Sequence, residues 1–244
     1  MDRIIKAGLG IFIVILVAFT GIIAFTGYTE TAYRNTLAGT YSYTCTITTD
    51  SPLYNVTLFI PVPVDRTGNS PMVSGFSSNA IKGVPADWET TLFDTGKSTL
   101  IRVRTPAIVP PKGTSAQHPF TITFSSETAG RTPVNTTDPV GQSAVFRPVQ
   151  ALDGKACPQG SADSAGRCFT YTTSLYADYQ TAADTTVTIT SAVAGKNTWT
   201  IFEPYSNEYH TAVSTSMRGE SHGWAVLSGE LSSGIGTYDI PESA

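Results

Sequence analysis

The chain has 244 residues, of which 14% are charged, and a net charge of -4 at pH 7. A sequence pI near 5.3 and the lack of any cluster of Lys and Arg exclude the basic phosphate-binding face that holds nucleic acid. Thr, Ser and Gly fill the places that Lys and Glu hold in a cytosolic enzyme, so the surface is polar but weakly charged.

The first element is an uncharged run from Ala7 to Thr29, with Asp2, Arg3 and Lys6 before it and Glu30 behind it. At about 1.5 Å of rise per residue, it crosses a hydrocarbon core of roughly 30 Å. The expected organisation is a cytoplasmic tail at 1–6, a transmembrane helix at 7–29, a linker at 30–40 and an extracytoplasmic domain at 41–244. Arg3 and Lys6 bias the orientation towards a cytoplasmic N terminus and an exported C-terminal domain at the cell surface. A cleaved signal peptide is the rival reading. Its apolar region runs to about 7 to 15 residues before a small-x-small site, whereas Leu9–Phe25 is longer and Ala24–Gly27 has Phe and Thr where Ala is preferred.

The stretch Lys6-Ala7-Gly8-Leu9-Gly10, followed by Ile11-Phe12-Ile13-Val14-Ile15-Leu16, resembles the N terminus of archaeal type IV pilin-like subunits, archaellins included. That resemblance implies removal of a short basic leader and bundling of the apolar helices into a filament core. The wider combination of an N-in anchor, a Thr-rich ectodomain, sequons and few cysteines is similar to archaeal membrane-anchored surface proteins.

Beyond the span, apolar and polar residues alternate with period two at 41–49, 54–62, 90–94, 100–104, 120–125, 144–148, 168–175, 185–193, 197–203, 209–217 and 223–228. Ala194-Gly195-Lys196-Asn197 reads as a hairpin turn in which Gly195 supplies a positive φ. Leu175–Ala183 is the one stretch with some helical periodicity. Short strands at this spacing predict an all-β fold, a β-sandwich of immunoglobulin-like or related type. Glu127–Gly141 is rich in turn residues, which opens a possible subdivision near 127–141.

Cys157 and Cys168 bracket a short turn-rich loop, and a disulfide between them removes about 3 kcal/mol of unfolded-state freedom. Cys45 alternates in phase with Tyr41, Tyr43 and Ile47, which makes it a buried thiol. Two glycosylation sequons occur, Asn55-Val56-Thr57 and Asn135-Thr136-Thr137. Asn135 is expected in a loop and Asn55 on the outward phase of a strand whose Val56, Leu58 and Ile60 face inward.

No constellation names a reaction. His210 and His222, with Glu208, Glu220 and Met217 near them, are the best candidates for a metal or acid-base site, and His118 is remote. A His-Glu-x-x-His helix and a Gly-rich phosphate loop are missing, and Ser206, Ser214 and Ser216 are ordinary strand positions. No cofactor is expected. Among the aromatics, Trp199 shares the phase of Ile201 and is expected in the core, whereas Trp88 lies in a turn context and is expected exposed. Arg102 and Arg104 read as a solvated strand face. The expected function is a membrane-anchored surface protein with a structural, adhesive or ligand-binding role, not an enzyme. Its partners are the lipid bilayer through 7–29 and other envelope proteins or glycans, with self-assembly possible. A pilin-like filament subunit is the alternative, and an envelope enzyme or accessory protein the second.

Overall fold

The computed structural model describes residues 2–73, 81–95, 98–157 and 166–238. Helix α1 (Asp2–Thr36) leads through Leu37 directly into strand β1 (Ala38–Thr49). It is long and apolar enough to cross a membrane. The hydroxyls of Thr20 and Thr26 donate to the carbonyls of Leu16 and Ile22, so neither meets apolar surroundings unpaired. The expected linker at 30–40 is instead regular structure. Glu30 and Arg34 pair across one turn, and Thr36 Oγ1 accepts from Thr200 N at 2.9 Å, so the helix is propped against the β domain to its last residue.

The other strands are β2 (Leu53–Pro61), β3 (Glu89–Asp94), β4 (Thr99–Ile108), β5 (Phe120–Gly130), β6 (Gln150–Lys155), β7 (Arg167–Gln180), β8 (Thr186–Thr200), β9 (Pro204–Arg218) and β10 (Ser221–Gly236). They form one antiparallel curled sheet in the order β3-β4-β2-β7-β10-β9-β8-β1-β5, with β6 paired to β7. The domain is therefore all-β, with one N-terminal helix. The two layers expected of a sandwich are halves of this single sheet. β10 pairs with β7 from Ser221 to Ser233 but with β9 only from Ser228 onward, so the ladder splays apart between β9 and the first half of β10. Tyr43, Ile47, Ile189 and Val213 from one half and Val56, Leu58, Ile101 and Leu175 from the other join in one core.

Two tyrosines are seated on glycines. Gly195 lies opposite Tyr209 in the β8–β9 ladder and Gly229 opposite Tyr171 in the β7–β10 ladder. A Cβ at Gly195 would come within 2.2 Å of the Tyr209 ring, and one at Gly229 within 2.7 Å of the Tyr171 ring. Each ring occupies the space its cross-strand partner leaves open. The Tyr209 hydroxyl then reaches the carbonyl of Ala144, and the Tyr171 hydroxyl reaches Thr211 Oγ1 at 2.6 Å. This corrects the expected turn at Ala194–Asn197. Gly195 is inside one continuous strand, and β8 runs on to Thr200 before the chain reverses at 201–203.

Three further expectations are corrected. Leu175–Gln180 is strand, because Leu175, Ala177 and Tyr179 all point into the core. Ala144–Pro148 is an irregular segment with a single isolated β-bridge, Val64 to Val145, and the strand lies just beyond it, at β6. The turn-rich stretch at 127–141 divides nothing. Asn197, buried in β8, accepts from Val134 N at 2.7 Å and donates to Val134 O at 2.8 Å, as a neighbouring strand would. Asn207 joins the same network through Thr136 and pins the loop to the sheet.

Candidate functional site: an aromatic ridge on the outer face

Strand alternation sends every second side chain of the β3-β4-β2-β7-β10 half outward. Register sets Thr91, Arg102, Phe59, Tyr176 and Trp224 side by side on successive strands. Phe93 sits diagonally from Phe59. Ring centroids are 5.5 Å apart for Phe93–Phe59, 5.6 Å for Phe59–Tyr176 and 5.7 Å for Tyr176–Trp224, each pair meeting edge to face. The four rings form a ridge that crosses the five strands β3-β4-β2-β7-β10. Its two ends are the most open, with Phe93 50% and Trp224 65% exposed. Val226, also exposed, extends the apolar surface beside Trp224.

A charged row runs parallel to the ridge, one outward position along each strand: His222, Asp178, Thr57, Arg104 and Glu89. His222 Nδ1 lies 2.7 Å from Asp178 Oδ1, and this contact holds the imidazole above its ordinary titration range, with Glu220 adding to the effect. Arg102 pairs with Glu89 across β3 and β4. Beside Arg104, a depression of about 400 Å³ is bounded by Asn55, Thr57, Asp87 and Glu89. The site thus joins exposed rings to carboxylate, guanidinium and amide groups on one rigid sheet.

The sequence-derived candidates are scattered. Cys157 and Cys168 are joined in a disulfide that closes the chain against the start of β7; the loop between them, 158–165, lies outside the described residues. Cys45 is a buried free thiol, pushed up to about 12 by desolvation. Asn55 is exposed with Val56, Leu58 and Ile60 buried, as the strand phase predicts, and it sits at a bulge with a positive φ of 54°. Its side chain donates to Gln180 at 3.1 Å. Asn135 is half-buried in a loop, where its Oδ1 accepts from Thr137 N, Thr137 Oγ1 and Asp138 N.

His210 and His222 do not converge. His210 faces Ser232 in the ladder, ten positions along β10 from His222, which separates them by about 33 Å at roughly 3.3 Å per residue. His210 Nε2 instead meets Glu208 at 3.0 Å. Burial raises the Glu208 carboxyl, but His210 and Lys196 outweigh it and hold the group below its usual range. His118 lies exposed in the β4–β5 connection. Among the described residues no three His, Cys, Asp or Glu side chains are grouped to hold a metal ion.

Trp88 corrects the expectation for the tryptophans. It is only 9% exposed and packs into the core, because the connection into β3 folds inward. Trp199 is buried, but between Tyr33 of α1 and Tyr205 of β9. The ridge residues Phe59, Phe93 and Tyr176 escaped sequence reading. Their signal was a large ring at a phase that Ser and Thr otherwise fill. Comparison with family models, with curated proteins and with solved structures finds no match to this chain.

Proposed function

We propose that the chain is a membrane-anchored surface protein whose exported β domain recognises an extended glycan along the Phe93–Phe59–Tyr176–Trp224 ridge. The observation that carries this reading is the exposure of aromatic rings in line on a rigid sheet, beside a row of hydrogen-bonding groups. Large rings left open to water cost solvation, and an exposed apolar patch rimmed by polar groups marks a binding surface. Sugar rings present C–H faces to aromatics and hydroxyls to carboxylates and amides, which is the mixture found here. Asp178, Arg104, Asn55 and Gln180 supply the polar contacts. A binding role accords with the wide separation of His210 and His222, since catalysis needs groups held within hydrogen-bond reach of one another.

The test is binding of the exported domain to a panel of envelope polysaccharides, with Trp224→Ala and Phe93→Ala as controls. Retention that both substitutions abolish supports the reading. Equal retention by wild type and the double variant defeats it. The sequon at Asn55 sharpens the test: a glycan there would fill the depression beside the ridge, so occupancy of Asn55 and binding of a free glycan should exclude each other.

The filament reading keeps one observation in its favour. α1 enters β1 through a single residue, Leu37, and its exposed apolar surface suits a bundle of helices as well as it suits lipid. Intact-mass analysis of the native protein separates the two. Loss of a leader ending near Ala7 together with assembly into fibres favours the filament; a full-length monomeric chain favours the anchor.

A further inference from the structure

The β8–β9 connection does something no solvent-facing hairpin needs to do. Its tip, Ile201-Phe202-Glu203, lies against α1 just short of that helix's first carboxylate after the span, Glu30. Phe202 stacks on Phe25 with ring centroids 5.9 Å apart and meets Tyr28 at 5.6 Å, yet it is still 66% exposed. Further along the helix axis, Trp199 is held between Tyr33 at 5.7 Å and Tyr205 at 6.0 Å.

Helix geometry gives the depth of this cluster. Ala7 to Phe25 is 19 residues, about 28 Å of rise, which nearly matches a hydrocarbon core of roughly 30 Å. Phe25 therefore marks the outer hydrocarbon boundary, and Tyr28 lies about 4.5 Å beyond it. The side chains follow the chemical order of a bilayer edge: Phe25 and Phe202 at the apolar level, then Tyr28, Trp199, Tyr33 and Tyr205, each with an apolar body and a polar tip. Glu203, whose carboxylate accepts from Tyr205, sets the limit of insertion, because a carboxylate does not enter hydrocarbon unpaired.

We propose that the tip of the β8–β9 hairpin is a second membrane contact, with Ile201 and Phe202 seated in the lipid interface beside Phe25. The proposal rests on α1 spanning the bilayer. Helix and hairpin together fix the tilt of the β domain on the membrane, so the aromatic ridge is presented at one height and angle instead of swinging on a tether.

The experiment places a nitroxide at Phe202→Cys in the full chain, one copy per phosphatidylcholine nanodisc. Cys45 is buried and the other two cysteines are paired, so the label has one site. Phe202 is exposed, so the substitution leaves the core intact. Collision with lipid-soluble oxygen is compared with collision with a water-soluble nickel chelate, using labels at Phe25→Cys and Val226→Cys as the lipid and water references. The expected oxygen-to-nickel ratio at 202 is close to that at 25 and several-fold above that at 226. A ratio at 202 equal to that at 226, with 25 still in lipid, overturns the proposal and leaves the anchor standing. Water access at 25 itself overturns both. Shielding at 202 that appears only when several copies share a disc assigns the tip to a neighbouring chain and also overturns it.

Discussion

The two halves of the curled sheet bury the same kind of inner face and present opposite outer faces. On the β5-β1-β8-β9 half, register aligns Thr123, Thr46, Thr190 and Ser214 in one row and Thr121, Thr48, Thr188 and Ser216 in the next. Neighbouring hydroxyls meet at 3.3 Å between Thr46 and Thr123 and at 2.9 Å between Thr190 and Ser214. On the β3-β4-β2-β7-β10 half, the same positions carry Phe93, Phe59, Tyr176 and Trp224. Hydroxyl rows satisfy one another and water, and β-branched Thr suits a strand, so the first face needs no partner. Exposed rings gain from being covered. The difference separates a face that folding explains from one whose exposed rings folding leaves unexplained.

The comparison breaks first at the disulfide, which belongs to the ridge half alone. Removing it with Cys157→Ser and Cys168→Ser frees the loop in the unfolded chain and should lower stability by about 3 kcal/mol in urea titration. Next, the glycine seats should cost alike in both halves: Gly195→Ala and Gly229→Ala each force a methyl into a tyrosine ring, for about 1–3 kcal/mol. Little or no loss for either variant would show that the ring can move aside. Trp224→Ala should leave the denaturation midpoint nearly unchanged yet weaken glycan retention by about 2 kcal/mol, roughly thirtyfold. By contrast, Thr46→Val and Thr190→Val should stay within about 0.5 kcal/mol and leave retention intact. A matching loss of retention from the threonine variants would erase the distinction between the faces.

The smallest effect concerns protons. His222 titrates above its ordinary 6.5 because of Asp178, so the stabilisation of this pair is complete below the unfolded-chain value. It is lost as pH rises through the higher folded value. Proton NMR should find the His222 midpoint raised, and Asp178→Asn should bring it back down. An unraised midpoint in the native protein would sink the assignment.

Much of the inner face was legible. Period-two alternation assigned Tyr43, Cys45 and Ile47 to the core, and the structure buries all three. Where a glycine interrupted the pattern the reading failed: Gly195 looked like a turn because its cross-strand partner, Tyr209, supplies the missing bulk from another strand. Trp88 misled for a different reason, since the connection that carries it folds into the core.

The sequence by itself determined the apolar span, the all-β class, the inward phase of most strands and the closeness of Cys157 to Cys168. All of these depend on neighbours within about a dozen residues. Only the tertiary structure decided that residues 59, 93, 176 and 224 stand in one line and that Phe202 meets Phe25. It also decided that His210 and His222 stay far apart. The physical reason is that strand order and register are set by pairing between segments far apart in the chain. Local alternation says which way a side chain points, and pairing alone says what stands beside it.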